Sequence, residues 1–571
     1  MIYPWLFTLI TFVLGILLNQ KLNLSVSLVV PILVFLLSVV FKGYLRYVVL
    51  NVGVFLLAFS VSYKEKIDSF EIKNPSFFEC RVVSFPNEYK TSKSFDCKVI
   101  SSDYQQLKGK SIKVYSKEED IYFFTRLAFF GKGKVEDGEV KVSTIKNFVI
   151  VDNSDNPFYS FFKLKDNLIK NYGLHRLNNE TFATGTALIF GEKKYLDYSI
   201  YKPFLETGLA HLIAISGSHI AILFFSLNFI LFFLNERVRY SVIAFVLPFY
   251  AVFTGFGIPV VRSVFMALFF IFSKFFYLKS NSLNILFFTA FVFLLISPDS
   301  LFSVSFQLSF MAVLGIILGI EVFKDYNNFV KLLGVSLFAT LFTAPIVLYY
   351  FYNFSPTGII ATPIASLLLY PLLTLSVFNI FTGFNVDFLV KFMDFFGMVF
   401  IEVVKFFSSL GFYYTGFSPS LWVVGLYFVV ILTVFLLKIR PVEKVLVSCF
   451  AFVVFLFLSK SDLRPKIYTI KTKVYPVVFV AREGKCYLFT DFEYRMALNL
   501  LRKEGCRVSY LLTENTEKFS DDFVLNFDRI ITYTYQVNVD DVRFKKWVEP
   551  YLVINGREYF LKNDDRVIFL D

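Results

Sequence analysis

The chain has little charge for its size. Of its 571 residues, 18% are Asp, Glu, Lys or Arg and 56% are apolar, against about 25% and about 45–50% in soluble domains. Length alone would suggest about three or four domains, but the hydropathy pattern overrides it, because most of the chain is one membrane block. Histidine is scarcer still: His175, His211 and His219 are the three in the chain. A metal centre built on several histidines is therefore excluded from the C-terminal half. No GxxxxGK[ST] occurs, which excludes a P-loop ATPase. The first apolar run begins almost at Met1, without a basic stretch or an obvious small-residue cleavage site, so it reads as a retained anchor and not a removed signal peptide. Five cysteines are present. Cys80 and Cys97 share one extramembrane segment, Cys486 and Cys506 share another, and Cys449 lies in an apolar run. Either pair forms a disulfide if its segment faces an oxidising compartment, although spacing alone does not set the Cα geometry.

What is abundant is aromatic and apolar. A membrane helix needs roughly 20 mostly apolar residues to cross a hydrocarbon core about 30 Å thick. About thirteen runs qualify, a few of them short: three before residue 64, the rest between Thr207 and Leu458. The 77 Phe and 33 Tyr sit mostly in or beside them, as packing and interface residues. The formal charge of +12 reads either as positive-inside asymmetry or as attraction to a polyanion.

Residues 1–63 carry three helices, at about Pro4 to Leu18, Leu24 to Phe41 and Leu45 to Tyr63. Lys42 and Arg46 place the second loop in the cytoplasm, which puts the N-terminus inside and the segment after Tyr63 outside. Residues 64–152 change character. FFECRVVSF, FDCKVIS, SIKVYS, RLAFFGKGKV, EVKVSTI and NFVIV are short alternating runs between turn residues, which argues for strands. Five or six strands in this length suit a small closed barrel such as an OB-fold. With 14 basic and 12 acidic residues from Glu71 to Asp152 the segment is mildly basic. Tyr122, Phe123, Phe124 and Phe130 are candidates to stack bases, with Lys132 and Lys134 as phosphate contacts; packing in a core or an interface is the plainer reading of each ring. Residues 153–206 turn helical and amphipathic, with further helices expected at Thr181 to Phe190 and Ser199 to Glu206, lying on the outer membrane surface.

Residues 207–459 form the main membrane block. Its basic clusters, at Arg237 and Arg239, Lys274 and Lys279, Lys324 and Lys331, and Lys438, Arg440 and Lys444, all fall on the cytoplasmic side of this count, and the last helix ends outside near Leu458. Within GEKKYLDYSIYKPFLETGLAHLIAISGSHIAIL, the residues His211, Ser216, Ser218 and His219 stand at the start of an apolar run, where polar groups are costly unless paired or wetted. The two histidines lie about two helical turns apart, and Ser216-Gly217 between them interrupts a helix. Three readings stay open: a catalytic Ser/His pair, with Glu206 the nearest acid upstream; the lining of a hydrated pathway; and hydrogen-bonded glue between helices. In TGFGIPVVRSVFMAL, Gly255, Gly257 and Pro259 break the helix. Broken backbone at membrane depth survives only inside protein or beside a water-filled cavity. Arg262 follows, either as a phosphate-binding fork or as a snorkelling side chain. In PDSLFSVSFQLSF, Ser303, Ser305, Gln307 and Ser309 pair on helix faces, for interhelix bonding or for lining a pathway. FTAPIVLYYFYNFSPTGIIATPIASLLLYP adds Pro345, Pro356, Pro363 and Pro371, a density that suggests kinked or re-entrant helices, with Gly217, Gly255, Gly257, Pro259, Pro345 and Pro363 as break or gate positions. Residues 460–571 read as a small α/β domain: VYPVVFVA, KCYLFTD, VSYLLTE, RIITYTY, PYLVIN and RVIFL as strands, and EYRMALNLLRKEG as a helix ended by Gly505.

These motifs together resemble the ComEC family of DNA internalisation proteins. The pieces that carry the likeness are LIFGEKKYLD…FLETGLAHLIAISGSHI, GIPVVRSVFMAL, SFQLSFMAVLGI and APIVLYYFYNFSPTGIIATPIASLLLYP, in the family's order, over about Gly185 to Leu458. The resemblance implies a channel that passes one DNA strand across the inner membrane in natural transformation, with single-stranded DNA, membrane lipid, an outer DNA receptor and a cytoplasmic helicase-type ATPase as partners and no cofactor. It also implies a C-terminal domain like a metallo-β-lactamase. Here the sequence departs from the family, because VSYLLT runs into Glu514-Asn515-Thr516-Glu517-Lys518-Phe519 where an HxHxDH run is expected. Asp491 matches one acidic position but alone holds no metal. That domain is therefore read as shortened and metal-free, and the chain as no enzyme. The family's usual Asn before IIATP falls at Gly358. The rival readings are a membrane-bound nuclease and a small-molecule or lipid transporter. The fold expected is thus a polytopic α-helical membrane protein with an extramembrane OB-like β-barrel and a small α/β C-terminal domain.

Overall fold

The computed structural model describes residues 4–569 apart from 23, 25, 39–40, 42, 64–69, 85, 89–92, 119–120, 137–138, 276–280, 438, 461–465, 471–476, 483, 491–495, 507, 514–518, 520–523, 525, 533–535, 540–541, 546–550, 555–556 and 561–565. Of the positions singled out in the sequence, Lys42, Lys279, Lys438, Asp491 and Glu514 to Lys518 lie outside the described residues. The chain divides into two units: Met1–Phe204 with Leu209–Ile317 and Thr362–Phe406, and Leu205–Gly208 with Leu318–Ala361 and Phe407–Asp571.

The first unit opens with α1 (Pro4–Leu22), α2 (Val29–Leu37) and α3 (Gly43–Ser62). The backbones of α1 and α3 approach closely because Gly15 faces Ala58; a Cβ on Gly15 would lie 2.6 Å from that of Ala58. Small residues at such a crossing let membrane helices pack by van der Waals contact, where no hydrophobic effect acts between them. Asn19 then ties the pair: its Nδ2 donates to Phe59 O and Ser62 Oγ, each at 3.1 Å, and its Oδ1 accepts from the Leu24 amide at 2.8 Å. That last bond turns the chain at Leu24, so α2 starts at Val29, later than its apolar run suggested.

Next come β1 (Phe70–Val82), β2 (Asn87–Glu88), β3 (Lys93–Ser102), β4 (Ser111–Ser116), β5 (Arg126–Glu136) and β6 (Glu139–Asp152). Five of them close a barrel in the order β1-β5-β6-β4-β3 and back to β1. The β4–β6 pairing is parallel and the other four that close it are antiparallel. Alternate residues point inward, and Phe78, Phe95, Val114, Phe129 and Val142 fill the interior. Gly133 is required at the β5–β6 contact, since a Cβ there would meet Lys141 O at 2.0 Å. Cys80 and Cys97 form a disulfide between β1 and β3 with Cα atoms 5.7 Å apart.

Helices α4 (Tyr159–His175), α5 (Asn179–Phe190), α6 (Tyr198–Glu206), α7 (Ala210–Ile213), α8 (Gly217–Ile230), α9 (Glu236–Phe253), α10 (Ile258–Phe275), α11 (Ser282–Ile296), α12 (Val304–Val322) and α13 (Asn328–Phe351) follow. Then come β7 (Asn353–Phe354), α14 (Gly358–Phe381), α15 (Asp387–Ser409), β8 (Tyr414–Thr415), α16 (Leu421–Leu436) and α17 (Pro441–Ser459). Asn235, Asn281 and Asn327 cap α9, α11 and α13, each side chain accepting a first-turn amide at 2.9 Å, the standard use of Asn at a helix start. Among the described residues α1, α3, α12, α13, α14 and α17 are long and apolar enough to cross a bilayer, and α8, α11 and α16 are shorter apolar helices. α13 runs unbroken through Pro345, and α14 through Pro363 and Pro371.

In the second unit, Pro345 has no N–H to give to the carbonyl four residues back, that of Leu341. The Tyr427 hydroxyl of α16 donates to this carbonyl at 3.0 Å. Beyond α17 stand β9 (Lys466–Ile470), β10 (Val477–Arg482), β11 (Lys485–Phe489), α18 (Met496–Glu504), β12 (Val508–Thr513), β13 (Arg529–Thr532), β14 (Gln536–Val539), β15 (Val542–Lys545), β16 (Tyr551–Ile554), β17 (Arg557–Phe560) and β18 (Arg566–Phe569). A mixed sheet, β13-β12-β11-β10-β9-β18, packs Val478, Val480 and Leu512 against Val542, Leu552 and Ile554 of the β14–β17 meander. Its other face covers α18 through Phe479, Leu488, Ala497 and Leu501. Glu504 at the end of α18 accepts from the Tyr468 hydroxyl and pairs with Lys466 at 3.3 Å. Burial, then Glu504, push the Tyr468 hydroxyl above its ordinary value, so it stays a donor. Cys486 and Cys506 are joined, with Cα atoms 5.8 Å apart. The α18 end rests on β8, where Gly416 N donates to Arg502 O at 2.7 Å and Gly416 meets Gly505.

Tyr427→Phe leaves the Leu341 carbonyl unpaired in an apolar surrounding. It should cost about 1 kcal/mol and lower the thermal midpoint of the detergent-solubilised protein by roughly 2–4 °C. An unchanged midpoint would show that this bond contributes nothing.

Candidate functional site

The site grows from two interruptions in the helices of the first unit. The first lies between α7 and α8. After Ile213 the chain becomes extended, with Ser216 at φ −131° and ψ −176°, and α8 starts at Gly217. The Ser216 amide donates to Nδ1 of His219 at 3.3 Å, and the Ser216 and Ser218 hydroxyls lie 2.8 Å apart. A backbone N–H can only donate, so Nδ1 is the acceptor and the neutral ring carries its proton on Nε2. That Nε2 is buried and has no protein partner. His211, in contrast, stands exposed on α7, so the two histidines do not form a matched pair. The Glu206 carboxylate accepts from Ser408.

The second interruption separates α9 from α10. Gly255 has φ +89° and Phe256 φ +53°. The Phe256 amide reaches back to Ala251 O at 2.7 Å, the six-to-one bond of a Schellman ending. Gly257 and Pro259 then start α10. The GEKK loop packs onto this break: Gly191, itself at φ +76°, has space for no Cβ, which would lie 2.7 Å from Thr254 O. Two motifs 63 positions apart in sequence, Gly191 and Thr254, thus meet backbone to backbone. Lys165 holds the loop through Glu192 at 2.7 Å, and burial pushes the neighbouring Lys193 ammonium below its ordinary value.

One turn into α10, Arg262 is 1% exposed. Its Nη1 donates to Ser305 O at 3.4 Å, and the guanidinium lies 5.0 Å from the Phe310 ring centroid. Nη2 is buried without a partner. The first turns of α8 and α10 touch, since a Cβ on Gly217 would lie 3.0 Å from Ser263 Oγ. A buried unsatisfied donor costs roughly 1–3 kcal/mol. Here a guanidinium and an imidazole each carry one, on adjoining helix starts. The arrangement suits an acceptor-rich, anionic ligand such as a phosphate.

The polar residues of α12 divide. Ser305 serves Arg262 through its carbonyl, and Ser309 is half-buried. Ser303 caps the helix by accepting from Phe306 N at 3.2 Å, and Gln307 Nε2 donates to Leu301 O at 3.0 Å. Pro345 and Pro363 are buried within unbroken helices. Gly358 begins α14 with Thr207 O only 3.1 Å from where a Cβ would stand.

On the barrel, the rings expected to stack bases are engaged otherwise. Tyr122 stacks on Phe162 of α4 at 5.5 Å and donates to Asp166 at 2.6 Å. Phe123 and Phe124 meet Phe158 at 5.9 and 6.4 Å, and Arg81 lies over Phe124. These rings seal the barrel to α4. Phe130 contacts Phe77 at 5.7 Å. Lys132 is exposed on β5, away from that turn in the strand order; the Lys134 side chain lies outside the described ones. Sequence reasoning missed Phe310, which lacks any signal among 77 Phe, and Asp394. The latter is a buried carboxylate that accepts from Tyr172 at 2.6 Å and from Leu177 N at 2.9 Å; an acid on the apolar side of an amphipathic run was the available signal.

Residues 188–441 match the family described as Competence protein. An uncharacterized protein of Aquifex aeolicus is 29% identical over 57% of this chain and 75% of its own length. ComE operon protein 3 of Bacillus subtilis is 31% identical over 34% of this chain, and Recombination protein 2 of Haemophilus influenzae 32% over 35%. The chain spans 24% and 29% of the lengths of those two relatives. No solved structure matches it.

Proposed function

Because the chain belongs to the ComEC family of competence proteins, we propose that it passes a single strand of DNA across a bacterial inner membrane in natural transformation. The observation that carries this reading is the pair of buried, unpartnered donors, Arg262 Nη2 and His219 Nε2, on adjoining helix starts. A phosphodiester supplies the acceptor oxygens both lack. One guanidinium and one neutral imidazole bind a phosphate weakly enough to release it, which conduction requires.

The rest of the chain is assigned around that step. The six helices long and apolar enough to span, counted with the shorter apolar α8, α11 and α16 and with α2, α9, α10 and α15, give thirteen crossings in this reading. Counting from a cytoplasmic N-terminus, the barrel and the C-terminal domain face outward. Both carry their disulfide there, which an oxidising outer compartment supports. The five-stranded barrel serves as an OB-like module for the incoming strand. An outer receptor delivers DNA, and a cytoplasmic helicase-type ATPase or the proton gradient drives movement, because the sequence has no P-loop.

Arg262→Ala should reduce DNA internalisation at least about tenfold, the scale of one lost charged hydrogen bond, with membrane abundance and surface-bound DNA unchanged. Uptake at the unmodified level would remove Arg262 from the path. The C-terminal domain is assigned no hydrolysis. Purified protein with manganese or magnesium should leave labelled DNA intact, and metal-dependent cleavage would make the chain a nuclease.

A further inference from the structure

The strand register of the barrel gathers lysines that the sequence scatters over 44 positions, from Lys98 to Lys141. On β4, Ser111, Lys113 and Tyr115 point outward and alternate with buried Ile112, Val114 and Ser116. The parallel β4–β6 pairing sets Lys113 beside Lys141 and Tyr115 beside Ser143. The β6–β5 pairing continues both rungs, with Lys141 opposite Lys134 and Ser143 opposite Lys132. On the other flank Lys98 pairs with Ser111 and Asp96 with Lys113. Lys98, Lys113, Lys132 and Lys141 are all exposed, and so is the Tyr115 ring. Two acids end the Lys113–Lys141–Lys134 rung, Asp96 opposite Lys113 and Glu71 opposite Lys134, and the facing pair Glu136 and Glu139 lies beyond it at the β5–β6 end.

Two lysines directly opposed on neighbouring strands repel and cost some stability. A polyanion laid across the strands reverses the sign of that interaction. We infer that this outer face, built by Lys98 and Lys113, Lys141 and Lys132 around Tyr115, is where the barrel holds a single strand of nucleic acid. The inference rests on the DNA reading above and moves its barrel contact away from the Tyr122 to Phe124 turn. Neighbouring strands stand about 4.8 Å apart, so the lysines form a short cationic row that follows a backbone. Tyr115, one rung beyond Lys113 and between Ser94 and Ser143, offers a ring face to one base, which needs no particular sequence. An exposed aromatic amid the lysines favours an unpaired strand, whose bases are free to stack, over a duplex.

The test uses the full chain in nanodiscs of neutral lipid, with a fluorescein-labelled mixed-sequence 20-mer and anisotropy read across a salt series. Replacing Lys113, Lys132 and Lys141 together by Gln should weaken binding at least about tenfold and reduce the slope of log affinity against log salt by about 2, from about 0.7 per phosphate contact. The same three changed to Arg should keep both affinity and slope, which separates loss of charge from loss of fold. Tyr115→Ala should weaken binding with the slope unchanged. If the unmodified protein binds and the Gln variant binds equally with the same slope, the face is not the site, although the channel reading stands. If the unmodified protein does not bind the 20-mer at all, the DNA reading fails with it. If the Gln variant loses capture of anionic phosphatidylglycerol vesicles while holding the 20-mer as before, the face serves lipid and the inference is overturned.

Discussion

Hydrocarbon offers no hydrogen-bond partner, so each polar atom in the helical part of this chain must find one within the protein. Most do so locally. Ser62, Thr289, Thr340 and Ser459 return their hydroxyls to carbonyls four residues back. Asn19 spends both ends of its amide on α1 and α3. Tyr427 repairs the carbonyl that Pro345 strands. Among the described residues the Arg262 guanidinium and the His219 imidazole bury donors without acceptors, as do Arg239 Nε and the Thr184 and Ser448 hydroxyls elsewhere; Arg262 and His219 differ in lying on adjoining helix starts. Helix interruptions at Ser216 and at Gly255 to Gly257 precede the two residues, and the Gly191 loop, seated on Thr254 O, packs on the second interruption.

How much of this the sequence disclosed follows from which physical signal each feature leaves. Apolar runs, alternation and capping residues are local, so the three leading helices, the barrel strands, α5 and α6, and most of the C-terminal sheet were legible. The helix break was legible too, because two glycines and a proline in six residues exclude a regular interior. Proline density suggested kinked or re-entrant helices, and α13 and α14 carry these prolines inside continuous helices. A carbonyl left free by proline can be satisfied from another helix, as Tyr427 does for Leu341, and sequence spacing does not reveal such a partner. The aromatic residues of the 122–124 turn were read for composition, whereas their role is fixed by α4, which arrives afterwards and covers them. The lysine rungs were invisible because they depend on a parallel pairing between β4 and β6. In the C-terminal domain the β14 to β17 meander was read only in part, its strands being four residues each.

The soluble parts reuse one device, a disulfide beside a close backbone approach. Cys80 and Cys97 staple β1 to β3 in a barrel whose β5 and β6 touch at Gly133. Cys486 and Cys506 staple β11 to the end of α18, next to the Gly416 and Gly505 contact. A covalent link narrows the unfolded ensemble at each. The C-terminal domain keeps its sheets, helix and buried Lys466–Glu504 pair. The histidines a two-metal hydrolase draws on are absent from its sequence. The end of α18 packs against β8 through Gly416 and Gly505.

The central claim is that this chain carries DNA across the inner membrane. It is tested most directly by following labelled DNA into the cytoplasm of cells with and without the gene, with DNA bound at the outer surface scored in parallel. The account predicts that the deletion abolishes internalisation while surface binding persists. Normal internalisation in the deletion would contradict it and turn attention to a small-molecule or lipid substrate.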